Sequence, residues 1–231
     1  MTHTERQPCT LAILGGTGNQ GPGLALRWAR AGHAVIIGSR QAEKASQVAA
    51  ALNATLEEEE VQPVQGLENG AAAAACDVAV LTVPYAAQNP LLESLKDVLQ
   101  GKLLISVTVA LKPPKVARVH IPPEGSASEQ AQAILGDGVS VVAAFQNVSA
   151  EHLTGTSPVP CDVLVCGDDK AAKRIAIGLA EEIGTRAFDA GPLVNAKAVE
   201  ALTSVLIGIN LRYKVHGAGL RLTGLSDVGP S

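Results

Sequence analysis

A glycine cluster between a strand pattern and a helix pattern is the feature that most restricts the fold. Residues 11–14 (LAIL) predict a buried strand, and residues 21–32 predict a helix. Between these patterns, Gly16, Gly18 and Gly21 have the spacing G-x-G-x-x-G. We expect Gly16 to permit a tight turn, Gly18 to let the backbone approach a pyrophosphate, and Gly21 to let the helix pack closely. The helix N-terminus supplies free N–H groups, so the cluster predicts a dinucleotide-binding βαβ unit.

Strand and helix patterns alternate along the rest of the chain. The further strand patterns cover residues 34–38, 61–65 (a weak edge strand), 77–84, 102–111, 139–145 and 162–167. The further helix patterns cover residues 41–52, 71–76, a short helix opening at 126–129, 169–184 and 195–211. A composition of 47% hydrophobic and only 2% aromatic residues suits closely packed parallel strands covered on both faces. The chain is therefore predicted to be α/β, with a Rossmann-type doubly wound, mostly parallel sheet of about six to eight strands and a small helical C-terminal portion.

Two other phosphate-binding arrangements are excluded by the residues present. A P-loop needs Gly-Lys-Ser/Thr at its end, but Pro22 follows Gly21. Short-chain dehydrogenases use a tyrosine with a lysine four residues later, and neither Tyr85 nor Tyr213 is followed by lysine at that distance. The phosphate is therefore predicted to belong to a dinucleotide bound in the Rossmann manner.

The end of the second strand pattern indicates which dinucleotide is bound. Sites for NAD normally place Asp or Glu there to bind the ribose 2′-hydroxyl, but this chain has Ser39 and Arg40, with Lys44 one turn into the next helix. A hydroxyl, a guanidinium and an ammonium favour a 2′-phosphate, which a carboxylate would repel. The alternative is that Arg40 and Lys44 are ordinary solvated charges. The sequence predicts NADP as the cofactor.

Charge and cysteine content limit the other ligands. The net charge is −4 and there is no basic stripe, so no nucleic-acid partner is expected. The four cysteines lack the spacing of a zinc site, so no metal is expected and a reducing, cytoplasmic location is predicted. The first ten residues lack the apolar region of a signal peptide, and no apolar run is expected to reach membrane-spanning length. No membrane contact is therefore expected.

Several motifs together resemble one family of reductases. They are GGTGNQGPGLALRWARAGHAVIIGSR at 15–40, CDVAVLTVPY at 76–85, VCGDD at 165–169 and DAGPLVNAKAVEALT at 189–203. This combination is similar to the NADPH-dependent reductases of the deazaflavin coenzyme F420, over roughly residues 11–225. The resemblance implies an oxidoreductase that transfers a hydride between NADP(H) and F420. Because the two cofactor rings carry the chemistry, we expect the protein to position them and expect no catalytic acid or base.

The resemblance, together with the expected stacking of the two rings, assigns contacts residue by residue. The cofactor-binding residues are expected to be Gly16, Thr17, Gly18, Asn19, Gln20, Ser39, Arg40, Lys44, Val83, Pro84, Tyr85, Val109 and Ala150. The deazaflavin is expected to lie against Gln146, Asn147, Val148 and Leu193. Some similar chains carry histidine where this chain has Gln146, which can form hydrogen bonds but does not titrate near neutral pH. A reaction that needed a protonated imidazole would therefore be impaired here.

A proline-rich stretch and one lysine leave further interpretations open. Lys112, Lys115 and Arg118, with His120, are candidates to contact the anionic tail of F420, and a solvated loop is the alternative. Lys197 is the lysine to consider for the catalytic role that a lysine has in related hydroxy-acid dehydrogenases.

The chain is predicted to consist of two parts. Residues 1-190 are predicted to form the NADP-binding Rossmann domain, and residues 191-231 a small helical part that completes the substrate cleft. The apolar stripe of the helix at 195–211 predicts packing on its own domain or on a second subunit, and we expect a homodimer. Two other functions stay open: an NADPH-dependent reductase of another acceptor (flavin, ferric iron or a small imine), and a non-catalytic NADP-sensing domain.

Overall fold

The computed structural model describes residues 8–225, which form one eight-stranded sheet covered by helices. The strands are β1 (Thr10–Leu14), β2 (Ala34–Ser39), β3 (Gln65–Glu68), β4 (Val78–Leu81), β5 (Leu103–Ser106), β6 (Ser140–Ala143), β7 (Asp162–Gly167) and β8 (Arg186–Asp189). The α-helices are α1 (Gly21–Arg30), α2 (Ala42–Thr55), α3 (Asn69–Ala75), α4 (Tyr85–Leu95), α5 (Ala127–Leu135), α6 (Lys170–Glu182) and α7 (Ala196–Tyr213). Short 3₁₀ turns lie at Ala150–Leu153 and Leu193–Asn195.

The strand order places a ligand crevice between β1 and β4. Across the sheet the order is β3-β2-β1-β4-β5-β6-β7-β8. The six strands from β3 to β6 are parallel, β7 runs antiparallel to β6, and β8 is parallel to β7. After β3 the chain crosses to the other side of β1, so the loops that follow β1 and β4 diverge at a topological switch point. The predicted α/β, doubly wound and mostly parallel sheet is confirmed.

Strand β1 is apolar throughout because helices cover both faces of the sheet. Leu11 and Ile13 point into one core cluster, which α1, α2 and α6 complete. Ala12 and Leu14 point into a second cluster, which α3, α4, α5 and the start of α7 complete. Side chains alternate between the two faces of a strand, so a central parallel strand needs apolar residues at every position.

Side chains near the start of α5 and of α6 accept hydrogen bonds from the first N–H groups of these helices. Helix α5 opens with a capping box, in which the Glu129 N–H donates to Ser126 Oγ at 3.0 Å and Ser126 Oγ donates to the Glu129 carboxylate at 2.9 Å. At α6, the Ala172 N–H donates to the Asp169 carboxylate at 2.7 Å. The short helix predicted to open at 126–129 is therefore confirmed.

The strands predicted at 77–84 and 139–145 end earlier, at Leu81 and Ala143, and two other predicted strands have the wrong bounds for reasons that involve distant residues. The weak strand predicted at 61–65 is wrong, since β3 begins only at Gln65. Just before it, Asn53 of α2 binds both the N–H (2.8 Å) and the carbonyl (3.0 Å) of Val64. The strand predicted at 102–111 ends at Ser106, the last β5 residue paired on both sides, because β4 and β6 both end beside it.

Helix α7 corrects the expectation about membrane-spanning length. The segment Leu193–Tyr213 is long and apolar enough to cross a membrane by length and composition, and 28% of it is buried. One side of the helix packs on the domain through Ala196, Val199, Glu200 and Ser204. The other side leaves apolar side chains exposed. A helix anchored on one side in this way has an unpartnered apolar face.

Candidate functional site

The turn after β1 is built by two glycines, of which one lies outside the predicted motif. Gly15 has a φ of +69°, so the left-handed residue of the turn precedes Gly16, which had been expected to make the tight turn. Gly16 instead allows a close approach: a Cβ there would lie 2.6 Å from the Ile13 carbonyl oxygen. A Cβ on Gly21 would collide with the backbone of Gly16, which confirms that Gly21 permits close helix packing.

Hydrogen bonding within this turn leaves a set of N–H groups free. The Gly15 N–H donates to Asn69 Oδ1 at 3.1 Å, and the Gly16 N–H donates to the carbonyls of Ile13 (3.0 Å) and Gly38 (2.9 Å). Within residues 8–225, the backbone N–H groups that have no partner in the turn are those of Thr17, Asn19 and Gln20. Free N–H groups at a helix N-terminus form an anion site. The position that a Cβ on Gly18 would take is open, with its nearest neighbour 3.8 Å away.

Gln20 joins the glycine turn to a second loop at the same edge of the sheet. Its Nε2 donates to the carbonyls of Phe145 and Val148, each at 3.2 Å. Phe145 is buried with a φ of +71°, and its ring meets Trp28 of α1 edge-on at 5.7 Å. The segment 145–148 is therefore fixed beside the turn. The Gln20 Nε2 is engaged in this link, and the predicted contact of Gln20 with the cofactor stays a prediction.

The end of β2 carries cationic groups that are free of partners. Ser39 is buried and its Oγ accepts the Gln41 N–H at 3.3 Å. Arg40 and Lys44 are exposed, and in the described part of the chain neither forms an ion pair. The one carboxylate in register with Ser39 is Glu68 of β3, which caps α3 by accepting the Gly70 N–H at 2.7 Å. A hydroxyl, a guanidinium and an ammonium at one strand end can receive a 2′-phosphate, although Glu43 and Glu68 lie in the same region.

The end of β4 forms the other wall of the crevice. The Val83 side chain packs so closely on the turn that a Cβ at Gly15 would overlap it. Pro84 follows as an exposed residue, and Tyr85 begins α4, where burial raises the pKa of its hydroxyl. The Val83 carbonyl accepts the Thr108 hydroxyl at 3.1 Å, which ties this end to the segment after β5. Val83, Pro84 and Tyr85 therefore lie at the switch point.

Gln146 is a buried amide with an unused acceptor. Its Nε2 donates to the Ser106 carbonyl at 2.8 Å, while its Oε1 and the Ser106 hydroxyl have no partner in the described chain. Asn147 is fully engaged with α7, since its Nδ2 donates to the Val199 carbonyl at 3.3 Å and its Oδ1 accepts from Thr203 at 3.2 Å. Thr203 also donates to the Gln146 carbonyl at 3.0 Å. Gln146 is thus held by its neighbours, and its carbonyl oxygen is buried without a partner in the described chain.

The remaining predicted contacts lie in several places, and Leu193 is held by the Asp168 carboxylate after β7 and not by the segment 145–148. Val148 and Leu193 are buried, and Ala150, half-buried, begins the 3₁₀ turn Ala150–Leu153. Val109 is half-buried in the segment after β5. It borders a small cavity with His120, Pro122, Lys197, Glu200 and Ser204.

The lysines and the arginine that the sequence analysis named as candidates differ in whether they have a charged partner. Lys112, Lys115 and Arg118 are exposed and form no ion pair within residues 8–225. Lys197 is not free, because its Nζ lies 3.7 Å from Glu129 Oε1. In the portion of the chain that the structure describes, no group of three or more His, Cys, Asp or Glu side chains could hold a metal ion.

Two residues that sequence reasoning missed hold this site together. Asn69 accepts the Gly15 N–H from 54 positions along the chain. Glu200 of α7 is buried and accepts the N–H groups of Ala127 (2.8 Å) and Ser128 (3.0 Å) and the Ser128 hydroxyl (2.7 Å) at the start of α5. Burial raises the pKa of Glu200 while these bonds oppose the rise. The motif DAGPLVNAKAVEALT includes Glu200, but no local pattern marks Asn69.

A Rossmann sheet with a glycine turn at its switch point and free cations after β2 defines a dinucleotide-dependent oxidoreductase class. A family model described as NADP oxidoreductase coenzyme F420-dependent matches residues 10–110. The chain is 43% identical over 221 residues to the F420-dependent NADP reductase of Methanocaldococcus jannaschii, covering 93% of this chain and 98% of that protein. It is 45% identical over 223 residues to the F420-dependent NADP reductase of Methanothermobacter thermautotrophicus, covering 94% and 96%. The chain therefore belongs to the F420-dependent NADP reductase family.

A solved structure agrees with the fold. The chain superposes with a TM-score of 0.78 on a protein of Arthrobacter sp. FB24 named after F420-dependent NADP reductases, covering 93% of this chain and 99% of that one. The sequence identity is 24%, so this likeness bears on the fold alone. The family predicted from the sequence motifs is confirmed, and with it an oxidoreductase that uses NADP and F420.

Proposed function

We propose that this chain transfers a hydride between NADP(H) and coenzyme F420 in the crevice between β1 and β4. The observation that carries the proposal is the direct link made by Gln20 between the glycine turn and the segment 145–148. A dinucleotide bound on the turn would extend toward Gln146, where a second ring can be received. The relatives named above, at 43% and 45% identity over nearly the whole chain, support this activity.

NADP binding is proposed to depend on two anion sites. The free N–H groups of Thr17, Asn19 and Gln20 would bind the pyrophosphate, and Ser39, Arg40 and Lys44 the 2′-phosphate. The other proposed cofactor contacts line the crevice and are Gly16, Gly18, Val83, Pro84, Tyr85, Val109 and Ala150.

The protein's part in the reaction is proposed to be positioning. The nicotinamide and deazaflavin rings supply the hydride donor and acceptor, which must be stacked at roughly 3–3.5 Å with water excluded. Gln146 would offer Oε1 to a ring N–H, and Asn147 would keep the backbone of the segment fixed. Val148 and Leu193 would supply buried apolar surface. No side chain is assigned as a catalytic acid or base.

Residues 191-231 are proposed to complete the cleft beside the NADP-binding part, residues 1-190. The bonds from Thr203 and Val199 to the segment 146–147 support this division, and residues 226–231 lie outside the described structure. The exposed apolar face of α7 supports a homodimer. All four cysteines are free thiols, which supports a reducing, cytoplasmic location.

The test is reduction of F420 by the purified chain, followed by loss of deazaflavin absorbance. We expect bleaching with NADPH and much slower bleaching with NADH. Arg40→Glu should lower the NADPH-to-NADH ratio of kcat/KM by about tenfold, because it replaces an attraction for the 2′-phosphate with a repulsion. Arg174→Glu, which changes an exposed arginine of α6 in the same way, should leave the ratio unchanged.

Each proposed step can fail separately. No bleaching despite measurable NADPH binding would reject F420 as the acceptor and leave a reductase of another acceptor or an NADP sensor. Equal rates with NADPH and NADH would reject the role given to Ser39, Arg40 and Lys44.

A further inference from the structure

Asn69 contacts the ends of both strands that lead to the proposed dinucleotide site. It is the first residue of α3 and is only 2% exposed. Its Oδ1 accepts the Gly15 N–H at 3.1 Å, just after β1. The same oxygen would lie 2.8 Å from a Cβ on Gly38, the residue before Ser39 in β2. One side-chain amide therefore lies between the phosphate turn and the strand that carries Ser39 and Arg40.

The hydrogen bond to Asn69 determines which N–H groups the turn can offer. With φ at +69°, Gly15 directs its N–H away from the rest of the turn and toward α3. The Gly16 N–H is taken by two carbonyls, so the free donors are those of the residues that follow. Without an acceptor at position 69, the half-buried Gly15 N–H would lose its partner, and the turn would shift to satisfy it.

Asn69 is itself held rigidly. Glu68 accepts the Gly70 N–H at 2.7 Å and fixes the first turn of α3. Ala72 and Ala73 are buried against the sheet, and the Ala72 Cβ lies 3.4 Å from the position of a Cβ on Gly38. The amide is therefore locked in place by packing before any ligand arrives, which is what a positioning group requires.

We propose that Asn69 is a positioning residue for NADP: by holding the Gly15 N–H it sets the conformation in which the glycine turn presents its free N–H groups to the pyrophosphate. The inference rests on the proposed binding of the dinucleotide at this turn. Asn69 acts through Gly15 and touches no reacting atom. Its effect belongs to NADP affinity and not to the deazaflavin site around Gln146.

The test compares NADPH affinity and stability in matched variants. Asn69→Ala should weaken NADPH binding about tenfold, with the KM for F420 unchanged, because a distorted turn loses part of its contact with the pyrophosphate. Asn53→Ala is the control. Asn53 lies on α2, and its side-chain amide also bonds backbone groups, namely the N–H and the carbonyl of Val64. The Asn53→Ala variant should lower the unfolding temperature without changing NADPH affinity.

A second variant keeps the hydrogen bond and changes the charge. Asn69→Asp retains an oxygen acceptor for Gly15 and should fold even if the alanine variant does not. Its NADPH affinity should stay closer to that of the unchanged protein than the affinity of Asn69→Ala does, because the acceptor for the Gly15 N–H is kept. A loss equal to that of the alanine variant, or equal losses for NADPH and F420, would overturn the proposal.

A variant of the turn separates this inference from the proposed function. Gly18→Leu fills the open space beside the turn and should abolish NADPH binding if the pyrophosphate lies there. If Gly18→Leu abolishes binding and Asn69→Ala leaves it unchanged, the role of Asn69 is rejected and the site stands. If neither variant affects NADPH, the placement of the dinucleotide fails and the inference fails with it.

Discussion

At the scale of single residues, Gln146 is one of the buried amides, with Gln88, whose nitrogen is bonded while its carbonyl oxygen has no partner in the described chain. The Gln146 Nε2 is bonded to Ser106, while its Oε1 is buried without a partner in the described chain. An unpaired buried acceptor is costly, and a bound ligand donor removes that cost. An acceptor selects an N–H group on its ligand. Gln146 is therefore expected to contribute to F420 affinity without taking part in proton transfer.

The first prediction is that Gln146→Leu raises the KM for F420 about tenfold and leaves the KM for NADPH unchanged, because one ligand hydrogen bond is lost. Gln146→His, the residue of some similar chains, should retain activity. The control is Gln132→Leu, which removes a side-chain amide of α5 that binds only backbone. It should cost stability without changing either KM. Steady-state kinetics with each cofactor varied in turn will decide, and an unchanged KM for F420 in Gln146→Leu contradicts the assignment.

The positions of residues that depend on the local sequence pattern were predictable. The contacts that depend on distant segments coming together were not. The position of Arg40 at the end of β2 could be predicted, because a strand followed by a helix is visible in the local sequence, and its contact with a 2′-phosphate stays a prediction. The role of Asn69 and the link made by the Gln20 side chain could not be predicted, since each bonds a backbone group that folding brings close from 54 and 125 positions away. A backbone partner leaves no signature in a single sequence.

At the scale of elements, helix α1 is held to the C-terminal half of the sheet by one buried arginine. Arg27 donates to the carbonyls of Leu153 (3.1 Å), Ile183 (2.6 Å), His152 (2.8 Å) and Ser157 (2.8 Å). Burial lowers the pKa of its guanidinium. Three of these acceptors lie in the segment 152–157 and the fourth, Ile183, follows α6, so Arg27 fixes both against α1, whose N-terminus is the proposed phosphate site.

The second prediction is that Arg27→Met lowers the free energy of unfolding by about 3 kcal/mol, since methionine fills similar volume but leaves buried carbonyls unpaired. Denaturant unfolding measures the change. The comparison variant is Arg30→Met, which breaks a surface pair with Glu59 at 2.8 Å and should cost no more than about 1 kcal/mol. Similar losses in the two variants would mean that the carbonyls find other donors.

Element boundaries were harder to predict than element types. The apolar run after Lys102 reads as one long strand, yet β5 stops at Ser106 because its neighbours β4 and β6 stop there. Helix α4 received no assignment from the sequence, and it carries Pro90 within its length. Where a strand ends depends on the strands beside it, and the periodicity of one segment gives no information about those neighbours.

At the scale of the whole molecule, the C-terminal segment returns to the sheet through a buried carboxylate. Asp162 at the start of β7 accepts from Arg186 at 2.6 and 2.9 Å and from the Leu222 N–H at 2.6 Å. The Asp162 N–H donates to the Leu220 carbonyl at 2.8 Å. Burial would raise the pKa of Asp162, but the Arg186 and Leu222 bonds outweigh it and lower the pKa below its ordinary value of 3.8.

The third prediction concerns acid. A carboxylate whose folded pKa is lowered stabilises the fold above its unfolded pKa and loses that effect as the pH falls through its folded pKa. Asp162→Asn should therefore be about 2 kcal/mol less stable at pH near 6, with the gap narrowing below about pH 4. Thermal unfolding across this range tests it, with exposed Asp137→Asn as the control. A gap that is independent of pH would show that Asp162 is not the acid-sensitive group.

The fourth prediction tests the apolar face of α7, on which the proposed homodimer depends. Val205 and Tyr213 are 46% and 74% exposed, and helical rotation places both on the side of α7 that faces away from Ala196, Glu200 and Ser204. A chain of 23.6 kDa should therefore elute at about twice that mass in size exclusion with light scattering at micromolar concentration. Val205→Glu should give the monomer, because a charge in an apolar contact is left desolvated and unpaired.

Ile175→Glu is the matched substitution, since Ile175 is an exposed apolar residue of α6 away from this face, and it should stay dimeric. The Val205→Glu monomer should still bind NADPH, because the glycine turn and Arg40 belong to the first half of the sheet and are not held by α7. If the unchanged protein is itself a monomer, the proposed homodimer through α7 is rejected.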